Sequence, residues 1–177
     1  EHDIEGSYEA IDVSPDALQA FFERLRSGEF AGGNVTIPHK EAVFALCDDV
    51  DPLARSIGAV NTLIADKGRV YGTNTDYLGF LGNLDAGAPD WAQNCRAAMV
   101  LGAGGAARAI IVALHSRKIP VLLLNRTRET ADRLAGELEG DITVGSLDMV
   151  NDAAPLADLV VNTTSVGMHG TRFEQFD

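Results

Sequence analysis

The glycine-rich stretch at residues 99–109 has the residue types and spacing of a phosphate-binding loop. An apolar run leads into it, and Gly102, Gly104 and Ala107 occupy the three positions of the dinucleotide-binding pattern G-x-G-x-x-G/A. Gly102 permits a tight turn, Gly104 leaves room for a pyrophosphate, and Ala107 lets the following helix lie close to its strand. The free N–H groups at the start of that helix attract phosphate. The stretch favours a dinucleotide site, with a glycine-rich turn in another strand–helix unit as the alternative.

A polar loop about 20 residues after these glycines indicates which dinucleotide would bind. It consists of Asn125, Arg126, Thr127 and Arg128. A site for NAD usually carries an Asp or Glu here, which binds the ribose 2′-hydroxyl. A carboxylate would repel the 2′-phosphate of NADP, whereas two guanidinium groups and a hydroxyl would bind it. The loop therefore predicts NADP as the cofactor, and a solvated loop with incidental arginines is the alternative.

A second set of polar residues, in the first half of the chain, could move a proton. Lys40 stands at the start of a predicted helix, after a strand end that carries Thr36, and Asp76 begins another helix. Asn61 lies on a strand between them. When a hydride leaves an alcohol carbon, a proton must leave the oxygen, and a Lys–Asp pair could take it. Each residue also fits an ordinary role, a surface charge for Lys40 and a helix cap for Asp76, so spacing alone leaves both roles open.

Other common catalytic designs are absent from the sequence. It contains no Tyr-x-x-x-Lys, no G-x-S-x-G and no cluster of His, Cys and carboxylates at metal-ligand spacing, so no metal site is expected. His39 and His115 are interpreted as packing or surface residues. Cys47 and Cys95 lie far apart without a redox motif and are compatible with a reducing compartment, so a cytoplasmic protein is expected.

The charge of the chain argues against nucleic acid as a partner. The 177 residues carry 14 basic and 26 acidic side chains, a formal net charge of −12, and such a surface repels a phosphate backbone. No apolar run approaches the roughly 20 residues that cross a bilayer, so no membrane partner is expected. A small-molecule substrate is the expected partner, and a monomer and a homodimer are both open.

The second half of the chain alternates between apolar strands and helices. Continuous apolar strands separated by helices are typical of a parallel sheet that is covered on both faces. The pattern predicts strands over residues 97–101, 120–124, 141–144 and 159–162, and helices over residues 105–117 and 129–138. We therefore expect a Rossmann-type, doubly wound domain in which the glycine loop follows the first strand.

The first half is predicted to form a separate α/β domain. Strands are predicted over residues 8–13, 34–37, 59–65 and 69–72, and helices over residues 39–46 and 52–57, with two more that carry Leu18 to Leu25 and Leu78 to Leu84. Turn-forming residues at 85–90 predict a linker. The chain is thereby divided into a substrate-binding and catalytic domain, residues 1–86, and a dinucleotide-binding domain, residues 87–177.

Six short motifs in a fixed order resemble the shikimate dehydrogenase family. They are NVTIPHK (residues 34–40), AVNT (59–62), NTD (74–76), GAGGAARA (102–109), NRT (125–127) and NTTSVGM (162–168). The resemblance covers nearly the whole chain. It implies an NADP-dependent oxidoreductase that reversibly reduces 3-dehydroshikimate to shikimate in the biosynthesis of aromatic amino acids.

The resemblance also implies roles for individual residues. Lys40 matches the catalytic acid/base lysine and Asp76 its aspartate partner at the substrate hydroxyls. Thr36 and Asn61 match further substrate-binding positions. The implied cofactor positions are Gly102, Ala103, Gly104, Gly105 and Ala106 at the pyrophosphate, Asn125, Arg126 and Thr127 at the adenosine phosphate, and Thr164 and Ser165 near the nicotinamide.

The chain departs from the family pattern at one cofactor position and at both ends. Thr130 stands where many NADP-linked members carry a second basic residue, and Arg128 is expected to compensate. We expect the chain to be truncated, without the opening serine-containing loop that binds the substrate carboxylate and without a closing segment that carries a substrate-contacting glutamine. Without the carboxylate anchor the substrate would be poorly oriented, so an inactive nucleotide-binding fragment is one alternative. A quinate/shikimate dehydrogenase with relaxed NAD(P) use is a second alternative.

Overall fold

The computed structural model describes residues 5–170 and residue 172. It contains two four-stranded sheets, one built from each half of the chain. Helices pack against both sheets, and the two hydrophobic cores consist of separate sets of buried side chains. The mixed α/β fold expected from the sequence is confirmed.

The sheet of the first half is mixed. Its strands are β1 (Gly32–Asn34), β2 (Asp49–Val50), β3 (Thr62–Asp66) and β4 (Arg69–Thr73). They lie in the order β1-β3-β4-β2, with β3 antiparallel to both β1 and β4, and β2 parallel to β4. The helices are α1 (Leu18–Arg26), which follows a 3₁₀ turn at Pro15–Ala17, α2 (Lys40–Leu46), α3 (Pro52–Ile57) and α4 (Asp76–Gly87).

The core of this half is built on one face of α1. Leu18, Phe22 and Leu25 recur at the spacing of a helical face and are all buried. They pack in one cluster with buried side chains of α2 and the sheet, including Val43 and Val70. This packing holds α2, the helix that begins with Lys40, against the sheet.

Two strand predictions in this half are wrong. Residues 8–13 form neither helix nor strand, because no backbone hydrogen bond in the described part of the chain pairs them with a strand. The strand predicted over residues 34–37 ends at Asn34, since the Thr36 carbonyl accepts from the His39 N–H at 3.0 Å and the chain turns there. The predicted hairpin is present as β3 and β4, although β3 begins only at Thr62.

The second half contains the predicted parallel sheet. Its strands are β5 (Ala98–Leu101), β6 (Val121–Asn125), β7 (Ile142–Ser146) and β8 (Leu159–Asn162), with a further short strand, β9 (Val166–His169). Its helices are α5 (Trp91–Asn94), α6 (Gly105–Ser116), α7 (Arg128–Glu137) and α8 (Val150–Ala153), with 3₁₀ turns at Leu147–Met149 and Ala154–Leu156. All neighbouring strands in the order β7-β6-β5-β8 are parallel.

The strand order places a crevice beside β5. The chain passes from β5 to β6 on one side, while β8 pairs with β5 on the other. Ligands of open α/β sheets bind at such a switch point, outside the carboxyl ends of the strands. The glycine loop follows β5 directly, and the polar residues from Thr163 follow β8, so both loops meet at this crevice.

Helix α6 also contacts the first half. Ala109 on α6 is fully buried with Ile57 and Ala59, and Tyr77 packs against the same cluster. Helix α4 continues to Gly87, through the first part of the segment predicted as a linker. The helix that starts at the glycine loop therefore lies against first-half residues that are close in sequence to Asn61 and Asp76.

Candidate active site

Lys40 and Asp76 form an ion pair at the edge of the cleft between the halves. The Lys40 Nζ donates to Asp76 Oδ2 at 2.7 Å, and the two side chains are 14% and 27% exposed. The Asn61 Nδ2 donates to the other carboxylate oxygen, Oδ1, also at 2.7 Å. Lys40, Asp76 and Asn61 therefore form one hydrogen-bonded group, which combines an ammonium, a carboxylate and an amide. Their spacing in the sequence did not show that they meet.

Hydrogen bonds of ordinary length hold the backbone around this group in place. Lys40 begins α2, and its carbonyl accepts from the Val60 N–H at 2.8 Å. Asp76 begins α4, and its N–H donates to Asn74 Oδ1 at 3.0 Å. Asn74 is buried, and its Nδ2 donates to the Ala59 carbonyl at 2.9 Å. These bonds fix the starts of α2 and α4 against residues 59–60, so the Lys40 ammonium and the Asp76 carboxylate have a defined separation.

The orientation of the Asn61 amide follows from its partners. Its Oδ1 accepts from the Thr75 N–H at 3.0 Å and from the Thr62 hydroxyl at 2.8 Å. A backbone N–H can only donate, so this side of the amide must be the oxygen. The NH₂ group therefore faces Asp76 and donates to its carboxylate.

Thr36, which the family resemblance assigns to substrate binding, is not part of this group. It is exposed, and no hydrogen bond in the described residues joins its side chain to Lys40, Asn61 or Asp76. It lies along a separate cavity of about 190 Å³ that is lined mainly by apolar side chains.

A cleft of about 490 Å³ joins the lysine to the glycine loop. Lys40 and Glu41 line it from the first half. From the second half it is lined by Gly102, Ala103, Gly104, Gly105, Ala106, Asn125, Arg126, Thr130, Arg133, Thr163, Thr164 and Ser165, among others. The structure thus brings Lys40 and most of the predicted dinucleotide residues to one cleft, whereas Asn61, Asp76, Thr127 and Arg128 do not line it.

The glycine loop fits a pyrophosphate. Gly102 has φ +98°, and a β-carbon there would lie 2.8 Å from Thr164 Cγ2 and 2.9 Å from Thr163 Oγ1, so only glycine is accommodated. A β-carbon on Gly104 would meet no atom within 4 Å, which leaves the space above the loop open. Gly104 is also the N-cap of the 12-residue α6 and supplies no side-chain cap, so the N–H groups of the first turn can bind an anion.

The basic residues near α7 divide into two groups. Arg126 lines the cleft together with Asn125, Thr130 and Arg133. Arg128 does not line it and instead pairs with Asp132 at 3.5 Å. Arg133 lies on α7 and was not among the predicted cofactor residues, and no helical spacing relates it to Arg126, which lies in the loop before the helix. The structure therefore offers Arg133, rather than Arg128, as the cation that accompanies Arg126.

Two further classes of site are not found in the described part of the chain. No group of three or more His, Cys, Asp or Glu side chains in residues 5–170 and 172 could hold a metal ion. None of the helices there combines the length and apolar character needed to span a membrane.

Comparison with known proteins gives a consistent result. The model of the shikimate dehydrogenase substrate binding domain matches residues 1–63, and that of shikimate / quinate 5-dehydrogenase matches residues 89–172. The chain is 49% identical over 168 residues to shikimate dehydrogenase (NADP(+)) of Brucella abortus strain S19, covering 94% of this chain and 58% of that protein.

Solved structures show the same similarity. The shikimate dehydrogenase of Aquifex aeolicus superposes with a TM-score of 0.81 at 38% identity, over 93% of this chain and 60% of that one. Shikimate 5-dehydrogenase of Thermus thermophilus, in complex with NADP(H) and shikimate, gives 0.77 at 42% identity, over 93% and 59%. The chain thus spans about three fifths of the length of the relatives it matches. Its two matched regions, its fold and its ordered motifs agree, and the chain belongs to the shikimate dehydrogenase family.

Proposed function

We propose that this chain is an NADP-dependent shikimate dehydrogenase, which reversibly reduces 3-dehydroshikimate to shikimate. The observation that carries the proposal is the shared cleft, which is lined both by Lys40, the ion-pair partner of Asp76, and by the pyrophosphate loop. The curated relative of Brucella abortus is named shikimate dehydrogenase (NADP(+)), and the structure from Thermus thermophilus contains NADP(H) and shikimate. The proposal includes a small-molecule substrate as the partner and a cytoplasmic location.

The proposed mechanism assigns proton transfer to Lys40. NADP, when bound, supplies the chemistry of hydride transfer. The Lys40 ammonium has three N–H donors and gives one to Asp76, so another can protonate the substrate oxygen during reduction, which leaves a neutral amine. In the oxidation direction the neutral Lys40 amine accepts the proton from the substrate hydroxyl. Asp76 holds the ammonium in place and, together with Asn61, binds substrate hydroxyls. Thr36 lines a separate cavity, and its proposed role as a substrate contact rests on the family resemblance alone.

The proposed cofactor site extends from the glycine loop to α7. The N–H groups of Gly104, Gly105 and Ala106 would bind the pyrophosphate. Arg126 and Arg133 would bind the 2′-phosphate, with Asn125 and Thr127 shaping the loop through the bond from Asn125 Nδ2 to the Thr127 carbonyl at 2.8 Å. Thr164 and Ser165 would lie near the nicotinamide.

The two sheets support the division into a substrate domain, residues 1–86, and an NADP domain, residues 87–177. Each sheet draws all its strands from one side of this boundary. The catalytic pair lies in the first domain and the glycine loop in the second, so turnover requires both domains.

The test is to follow NADPH absorbance with the purified chain, using shikimate and quinate, each with NADP and with NAD. Turnover of shikimate with NADP supports the proposal. A higher rate with quinate, which the name of the second matched family model includes, would favour the quinate/shikimate alternative. Folded chain that binds NADP but shows no turnover would contradict the proposed activity and support a nucleotide-binding role.

A further inference from the structure

Arg108 is a buried cation that the proposed mechanism does not use. It lies in the first turn of α6, and only 6% of the residue is exposed. The guanidinium contacts the Glu137 carboxylate, lies 3.4 Å from Glu41 Oε2 through Nε, and donates from Nη1 to the Ile57 carbonyl at 3.4 Å. A buried charge is stable only where such partners compensate the free energy of hydration that it has lost.

The partners of Arg108 come from both halves of the protein. Glu137 is the last residue of α7 in the second half. Glu41 follows Lys40 in α2, and Ile57 ends α3, so both belong to the first half. Gly58, the left-handed C-cap of α3, lies directly under the guanidinium, because a β-carbon there would be 3.0 Å from Arg108 Nη1.

The first-half residues that contact Arg108 lie on either side of a hydrogen bond made by the backbone of Lys40. The Lys40 carbonyl accepts from the Val60 N–H at 2.8 Å. Glu41 directly follows Lys40 in the chain, and Gly58 lies two residues before Val60. One guanidinium therefore touches both segments that the bond joins.

Helix α6 contacts the lysine at a second point. A β-carbon on Gly105 would lie 2.8 Å from Lys40 Cβ, so the backbone at the start of α6 lies against the lysine stem. The same helix thus carries the pyrophosphate loop, touches Lys40 through Gly105, and holds the neighbour of Lys40 through Arg108.

We propose that Arg108 is a positioning residue, which sets the place of Lys40 relative to the glycine loop through Glu41 and the end of α3. Its consequence for turnover rests on the proposed function. The cofactor loop and the lysine belong to different sheets, so contacts across the cleft decide their separation. Since a displacement of about 1 Å can cost a hundredfold in rate, such a contact affects catalysis without touching substrate.

Amide hydrogen exchange of the 177-residue chain, read by NMR, tests the positioning. We expect Arg108→Gln and Glu41→Gln each to speed exchange of the Val60 amide roughly tenfold, and the double variant no further than either single one. Glu137→Gln is the matched control, because it removes the second-half carboxylate from the same guanidinium. It should leave Val60 exchange unchanged.

Two results would overturn the proposal. One is unchanged Val60 exchange in both Arg108→Gln and Glu41→Gln. The other is a rise that equals the rise at the amides of β5, since that would report global unfolding rather than a local loss of position. Because Glu41 is partly exposed, its variant keeps the test available if Arg108→Gln fails to fold.

Steady-state kinetics distinguish this proposal from the proposed function. We expect Glu41→Gln and Arg108→Gln to lower kcat roughly tenfold to a hundredfold without raising the KM for NADP. A rise in that KM with kcat unchanged would contradict positioning of Lys40. If the unaltered chain shows no turnover, the proposed function fails, while Val60 exchange still decides the role of Arg108.

Discussion

Gly105 lies directly against Lys40, so that a β-carbon on the glycine would be 2.8 Å from Cβ of the lysine. The dinucleotide pattern requires glycine at positions 102 and 104 but leaves position 105 open. The reason for glycine at 105 is therefore the close approach of the lysine stem across the cleft. Within this loop, Gly104 thus leaves room for the proposed cofactor, and Gly105 leaves room for the stem of the proposed catalytic lysine.

Alanine substitutions at these two adjacent glycines should have different effects. Gly105→Ala places a methyl group against Lys40, and we expect a loss of about 1–3 kcal/mol in the free energy of unfolding, because the packing there has no room. Gly104→Ala meets no protein atom within 4 Å, so it should leave stability nearly unchanged while obstructing the pyrophosphate. Chemical denaturation and NADP titration by fluorescence check both. Equal stability losses would contradict the difference in packing between the two positions.

Lys40→Met should abolish most turnover while leaving NADP binding intact. Methionine keeps an apolar stem against Gly105 but has no ammonium, so the proton-transfer contribution of about 10²- to 10⁴-fold in kcat is lost. Lys67→Asn is the control, since Lys67 is an exposed lysine at a turn with φ +48°, a conformation that Asn tolerates. A loss of NADP affinity in Lys40→Met equal to the loss in kcat would argue against proton transfer as its role.

Arginine variants around α7 should separate NADP from NAD. We expect Arg126→Ala and Arg133→Ala each to weaken NADP about tenfold to a hundredfold, because a charge-assisted bond to the 2′-phosphate is lost, and to leave NAD unchanged. Arg128→Ala is the matched control, since Arg128 pairs with Asp132 outside the cleft. Calorimetric titration with both cofactors makes the comparison. A larger loss of NADP affinity in Arg128→Ala than in Arg133→Ala would support Arg128, as predicted from the sequence, as the second cation at the 2′-phosphate.

The Cys47 thiol should be unreactive at neutral pH. Burial raises its pKa from 9.0 to about 11, the neighbouring Asp48 charge adds to the rise, and Arg26 opposes it. Folding therefore favours the neutral thiol, and the associated stability is lost as the pH rises from about 9 to about 11. In a Cys95→Ser chain at pH 8, alkylation by iodoacetamide should be roughly a hundredfold slower than in denaturant, because only the thiolate reacts. Equal rates would contradict the shifted pKa.

The second half of the fold could be predicted from its sequence because its signals are local. Apolar strands alternate with helices, a pattern typical of a parallel sheet that is covered on both faces, which the structure contains as β5 to β8. The first half was harder to predict. Residues 8–13 alternate like a strand, yet a strand forms only where a partner supplies backbone hydrogen bonds, and the described residues provide none for this stretch.

By itself, the sequence determined the chemical groups: the glycines of a phosphate loop, the arginines near α7, and a lysine and an aspartate with the right types for proton transfer. Only the tertiary structure decided which of these groups meet. Lys40 and Asp76 are 36 residues apart, and their 2.7 Å bond depends on how α2 and α4 begin beside one stretch of chain. The contacts of Arg108 with the first half and the place of Arg133 in the cleft likewise depend on helix packing, because the distance between side chains on different elements is set by the packed core and not by their spacing in sequence.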